Sequence, residues 1–160
     1  EFWWYSNGAR EYPDAVRFKA GFFHYRTGAR GQFYWAYMNP RGDMFNDFDE
    51  GNSDHITVFI QDGQIISTLQ WESIREGIDD YRYLRLLEEL CQKYADQAEA
   101  AAAGRKLLAE IRTKLPNGLA DYQERFGNVL DIHEQSWWEP EEFDLQRQRL
   151  AEAIMRFKQP

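Results

Sequence analysis

The sequence predicts an α/β fold in which short strands alternate with helices through the first half, followed by a helical extension. Three observations predict it. Ser67 to Tyr94 places Ile74, Ile78, Tyr81, Leu84, Leu87, Cys91 and Tyr94 at steps of three and four, the spacing that lines one face of a long helix. Upstream, short runs of aromatic and β-branched residues are separated by Asn7-Gly8, Asp62-Gly63 and isolated glycines, which read as strands and turns. Downstream, apolar stripes at helical spacing return. Strands alternating with helices argue for βαβ units and a parallel sheet.

Taken in order, Phe2 to Ser6 is a first strand, closed by the Asn7-Gly8 turn. Pro13-Asp14 opens a helix over Ala15 to Arg26, ended by Gly28 and Gly31. Its Val16, Phe18, Phe22, Phe23 and Tyr25 do not fall on one clean face. Gln32 to Tyr37 is a second strand, and its unbroken apolar run fits a strand covered on both faces. Met38 to Asp54 reads as loop, His55 to Ile60 as a third strand, and Gln64 to Ser67 as the lead into the long helix. Gly77 inside that helix costs about 1 kcal/mol against alanine, which predicts that another backbone or a bulky ring packs against its turn. Residues 95–103 read as a continuation of the long helix to Gly104. Leu107, Leu108, Ile111 and Leu115 form a further stripe that Pro116-Asn117-Gly118 terminates. Leu119 to Ser136 suggests short helices around Tyr122, Phe126 and Leu130. A last helix opens at Pro140, with Glu141 and Glu142 at the positive end of its dipole, and carries Phe143, Leu145, Leu150, Ile154 and Phe157.

With 160 residues and 43% hydrophobic content, the chain can bury a core of ordinary size. A net charge of −8 disfavours nucleic acid and acidic membrane surfaces as partners. No apolar run approaches the ~18 residues that cross a bilayer. The single cysteine, Cys91, excludes an internal disulfide and reads as a small buried hydrophobe. The chain opens Glu-Phe-Trp-Trp and reads as the C-terminal piece of a longer protein, secreted or periplasmic if that parent carries a signal peptide.

The aromatic share is 16%, and Trp3, Trp4, Tyr5, Phe33, Tyr34, Trp35 and Tyr37 fall in two short runs. Such rings fill cores, and they also stack against the apolar face of a sugar while their polar atoms bond its hydroxyls. In parallel α/β folds, function gathers at the C-terminal ends of strands. That rule points to Ser6 and Asn7, to Tyr37 through Asp54, and to the residues after Ile60. The middle loop combines Asn39, Asn46, Asp47 and Asp49 with Trp35, Tyr37, Phe45 and Phe48, a mixture suited to carbohydrate or to a loop capped by its own Asp and Asn side chains. The candidate sugar contacts are Tyr5, Trp35, Tyr37, Asn39, Asp47 and Asp49. No metal or cofactor is expected. Counted from Asp47, the fifth and twelfth positions of a calcium loop would be Gly51 and Val58, and His24, His55 and His133 show no ligand spacing. A carboxylate pair of Asp47 or Asp49 with Glu72 could face one glycosidic bond, but Arg75 beside Glu72 gives that acid the character of a structural ion pair.

The run STLQWESIREGIDDYRYL resembles the signature of the catalytic domain of glycoside hydrolase family 123 and its relatives. Upstream, QFYWAYMN resembles that family's strand, and FDLQRQRLAEAI its last helix. Gln70 stands where the family has arginine, and Asn39 comes one residue later after Trp35 than in the family. The resemblance implies the C-terminal portion of a (β/α)8 barrel, with residues 1–100 as its last βα units and 101–160 as a helical extension packed on them. It implies action on N-acetylhexosamine-containing glycans, assisted by the substrate's own acetamido group, with the catalytic Asp-Glu pair upstream of this chain. Glu72, Arg75, Gly77, Asp80 and Tyr81 would then be scaffold, and the partners would be carbohydrate and the N-terminal remainder of the parent. A non-catalytic carbohydrate-binding or scaffold domain is the alternative. A helical interaction domain is a third, which predicts an exposed apolar stripe along 105–115 or 143–157.

Overall fold

The computed structural model describes residues 2–5, 12–34, 36–46, 48–49, 55–127 and 135–157. They form a small, mostly helical α/β domain. Strand β1 (Trp3–Tyr5) is followed by α1 (Pro13–Phe18), a π-helical turn (Lys19–Phe23) and α2 (His24–Thr27). Next come β2 (Gly31–Phe33), β3 (Met38–Asn39), β4 (His55–Ile56), β5 (Val58–Gln61) and β6 (Gln64–Ser67). Helices α3 (Leu69–Lys93), α4 (Ala98–Thr113), α5 (Leu119–Phe126) and α6 (Pro140–Arg156) complete the order.

Strands β1 and β2 pair in parallel, with Trp3 opposite Gly31 and Tyr5 opposite Phe33, and the helical segment between them makes this a βαβ unit. The expected third parallel strand is not present among the described residues. His55 to Ile60 breaks at Thr57: β4 pairs antiparallel with β3, and β5 forms a hairpin with β6. The physical reason is the Asp62-Gly63 turn, where φ is 51° and 74°, the pair of positive values that a two-residue hairpin turn requires. Gln64 to Ser67 is therefore a strand and not merely a lead into α3. The second strand is also shorter than the sequence predicts and is not covered on both faces, since Phe33 stays exposed.

The helical expectations hold in outline, and the one around Leu130 lies outside the described residues. Helix 13–27 lacks a clean apolar face because its middle is π-helical, which adds a residue to the turn and shifts the stripe. Thr68 caps α3 by accepting the Trp71 N–H at 3.1 Å, and its own hydroxyl donates to the Thr57 carbonyl at 2.5 Å, tying the helix start to the hairpin. The long helix does not run on through the alanines: Tyr94–Gln97 is a turn, and α4 starts afresh at Ala98 and passes through Gly104. The stripes along 105–115 and 143–157 are packed inward, with Leu108, Ile111, Phe143, Leu150 and Ile154 buried, which removes the basis for an exposed interaction stripe.

Helix α3 is the axis of the molecule, touching α1, the π turn, α4 and α6. The core is an aromatic cluster beside a leucine layer. Phe22 and Trp138 lie 4.4 Å apart by ring centroids, Phe18 packs edge-on to Trp138 and Phe143, and Leu84, Leu87, Ile111 and Leu150 fill the other side. Cys91 is buried where α3 meets α4, its sulfur against Gly104.

Candidate functional site

The motif that carries the family resemblance is a helix junction. Gly77 on α3 faces Gly21 in the π turn so closely that a Cβ on Gly77 would stand 2.6 Å from the Arg17 carbonyl oxygen and 2.7 Å from the Ala20 Cβ. Another backbone thus packs on the glycine. Three residues on, the fully buried Asp80 carboxylate accepts from Arg17 Nε at 2.9 Å and from Arg147 Nε at 2.7 Å, while Arg147 also reaches the Glu76 carboxylate at 2.5 Å and the Glu76 carbonyl at 2.9 Å. Helices α1, α3 and α6 are clamped together by this one acid. Burial pushes the Asp80 carboxyl upward, against the pull of Arg17 and Arg147. Arg75 pairs with Glu72 at 2.7 Å and Glu76 at 3.1 Å on the exposed side of α3, the hydrogen bond from Arg75 holding the Glu72 carboxyl below its usual range. Asp79 pairs with Arg82 at 3.0 Å.

The candidate sugar contacts do not converge on one site among the described residues. Trp35 and Asp47 lie outside the described residues. Tyr37 is half exposed and edge-on to Trp71 at 5.7 Å. Asn39 sits in the short strand β3 opposite His55. Asp49 accepts the Asp43 N–H at 2.6 Å, and Asp43 and Asn46 accept the N–H groups of Phe45 and Phe48. The loop thus uses its own acids and amides to satisfy its backbone.

Tyr5 belongs to a different group, drawn from the two aromatic runs and brought to one face by the two-residue alternation of a strand. Trp3, Tyr5 and Phe33 occupy one face of the β1–β2 pair, and they are 55%, 59% and 56% exposed. Trp3 and Phe33 stack with centroids 5.1 Å apart and planes 28° apart, the indole lying over Gly31. This is a flat aromatic platform open to solvent. Trp4 points the other way, packing edge-on to Phe23 and donating its indole N–H to His24 Nδ1 at 3.0 Å. Helical segments cover that second face, and a cavity of about 300 Å³ remains between Ala20, His24, Gln32, Tyr34, Ile74, Ile78 and Tyr81.

Among the described residues no group of three or more His, Cys, Asp or Glu side chains is placed to hold a metal ion, and no helix is long and apolar enough to cross a membrane. No family model, curated protein or solved structure matches this chain, so the likeness to glycoside hydrolase family 123 rests on the quoted motifs.

Proposed function

We propose that this chain is a carbohydrate-active domain that receives sugar on the Trp3, Tyr5 and Phe33 platform. The observation that carries the reading is three large rings on one sheet face, each more than half exposed, two of them stacked into a plane. Isolated exposed apolar residues are ordinary, but a contiguous aromatic plane is the surface that apolar sugar faces stack on. Tyr5 adds a phenol that can bond a hydroxyl.

The wider reading is a glycoside hydrolase-like barrel acting on N-acetylhexosamine glycans by substrate assistance, with this chain as its closing part and the catalytic Asp-Glu pair on the N-terminal remainder of the parent. The orientation of the βαβ unit supports it. In such a barrel one strand face lies under helices and the other lines the interior. Here the Trp4 face lies under the helical segments, as an outer barrel face would, and Trp3, Tyr5 and Phe33 lie on the opposite face.

Titration calorimetry of the chain with an N-acetylgalactosamine oligosaccharide tests the platform. Saturable binding that Trp3→Ala weakens about tenfold or more is expected, since a stacked ring contributes about 1–2 kcal/mol. Binding unchanged in Trp3→Ala, Tyr5→Ala and Phe33→Ala overturns it. A screen of the full-length parent against aryl N-acetylgalactosaminide and other aryl glycosides separates the enzyme from the non-catalytic binding domain. Turnover confined to the N-acetylated sugar supports the former.

A further inference from the structure

The cavity on the covered face of the sheet differs from the platform in chemistry and in wall. Gln32 shares its row with Trp4 in the β1–β2 register, and the two-residue alternation puts both on the face opposite Trp3 and Tyr5. Ile74, Ile78 and Tyr81 supply a wall at helical spacing from α3, and Ala20 comes from the π turn. π turns are rare and costly, and they collect at functional sites.

The polar groups at the cavity have defined roles. Trp4 donates to His24 Nδ1, so the neutral ring carries its proton on Nε2 and has only that N–H to offer. Burial lowers the His24 pKa, which keeps it neutral at pH 7. The Gln32 amide N–H donates to the Tyr34 hydroxyl at 2.5 Å, which leaves the Gln32 carbonyl to accept and the Tyr34 O–H to donate. The Gln32 carbonyl as acceptor and the His24, Tyr34, Tyr81 and remaining Gln32 hydrogens as donors therefore stand in a wall that is otherwise aliphatic and aromatic. A pyranose, with hydroxyls all round its ring, would turn some of them toward Ala20, Ile74 and Ile78, which cannot bond them, and each one buried unpaired costs binding. Among the described residues, no Lys, Arg, Asp or Glu lines the cavity, so an ionic ligand finds no opposite charge in that lining.

We propose that this cavity is a binding site for a small neutral heteroaromatic molecule of one or two rings whose edge carries a donor beside an acceptor. His24 and Tyr34 donate to its acceptor, Gln32 accepts from its donor, and Tyr81 with Ile74 and Ile78 covers its faces. The volume lies at the low end of the range for ligand pockets, which sets the one-to-two-ring limit. Ile78 lines the cavity and is 41% exposed, so it touches both the cavity and solvent.

Ligand-observed NMR and calorimetry of the whole chain with hypoxanthine, which has the donor–acceptor edge, and with indole, which lacks the acceptor, test the site. Saturable hypoxanthine binding tighter than that of indole is expected. His24→Phe should weaken it about tenfold and Ile78→Trp should abolish it, with both variants unfolding cooperatively. Should His24→Phe fail to fold, Gln32→Leu supplies the same readout. Absence of saturable hypoxanthine binding, binding kept in Ile78→Trp, or displacement by N-acetylgalactosamine would each overturn the proposal. Sugar binding and its loss in Trp3→Ala form a separate readout, so the platform and the cavity stand or fall independently.

Discussion

Asp80 concentrates more consequence in one side chain than any other described residue. Its carboxylate is fully buried and answers two guanidinium groups that come from helices α1 and α6. Replacing Asp80 with Asn keeps the shape and removes the charge, leaving Arg17 and Arg147 facing each other. Equilibrium urea unfolding is expected to show a loss of about 3 kcal/mol, because breaking a buried pair from one side strands the partner charge. Lys19 makes the converse case. It is buried in the π turn, and burial pushes its amine down from 10.5 to about 8. Between those two values the unfolded chain binds a proton that the folded one does not, so stability rises with pH across that window, by about 3 kcal/mol in all, and is flat below it. Lys19→Met should abolish that rise relative to the parent while leaving the tyrosine titrations common to both. Parallel stability curves for the two proteins from pH 7 to 10.5 would refute the assignment.

At the scale of elements, two glycines decide geometry. Gly77→Ala would raise the helix propensity of α3, yet its Cβ would meet the Arg17 carbonyl and Ala20, and the expected outcome is a loss of about 2 kcal/mol by overpacking. A gain in the thermal midpoint would mean that α1 can slide away. Gly63→Ala places a side chain at φ 74° in the β5–β6 turn and should cost about 1 kcal/mol, with amide exchange quickening in the hairpin first. Much at this scale is legible in the sequence. Heptad-like spacing gave α3, Pro140 with its two acids marked the start of α6, and Asp62-Gly63 announced a tight turn. Gly77 announced a close neighbour. What the sequence hid follows from competing local signals: the alanines of 95–103 favour helix so uniformly that nothing marks the turn at Tyr94–Gln97, and the π turn disguises the face of helix 13–27. The aromatic run at Gln32–Tyr37 suggested a buried strand because apolar rings look alike whether they fill a core or form an exposed plane. For the same reason the candidate sugar contacts include Tyr5 and pass over its companions Trp3 and Phe33. The loop acids were legible as polar residues, but their engagement with their own backbone appears only in three dimensions.

The whole molecule is a set of segments fastened to one central helix, and several of the contacts that fasten them join residues far apart in sequence. Arg17 and Arg147 meet Asp80 across 63 and 67 residues, and Trp138 closes over Phe18 and Phe22 from the far end of the chain. Contacts of that separation repay their loop-closure cost only late, so folding is expected to be slower than that of a simple helical bundle of this size, a point stopped-flow refolding would check. The lone thiol at the α3–α4 seam has a further use. Cys91 is buried, and burial raises its pKa, so a thiol-directed reagent reacts with it only when that seam parts. For a domain of about 5 kcal/mol stability, modification should run between about three and four orders of magnitude slower than in the denatured chain. The Asp80→Asn change, about three turns before Cys91 on α3 and at the junction with α1 and α6, should quicken it about a hundredfold if the seam opens only with the whole molecule. An unchanged rate would instead reveal a private opening of α4 alone. The chain thus carries its own timer, one atom of sulfur whose colour reaction tells whether the helices let go together or singly.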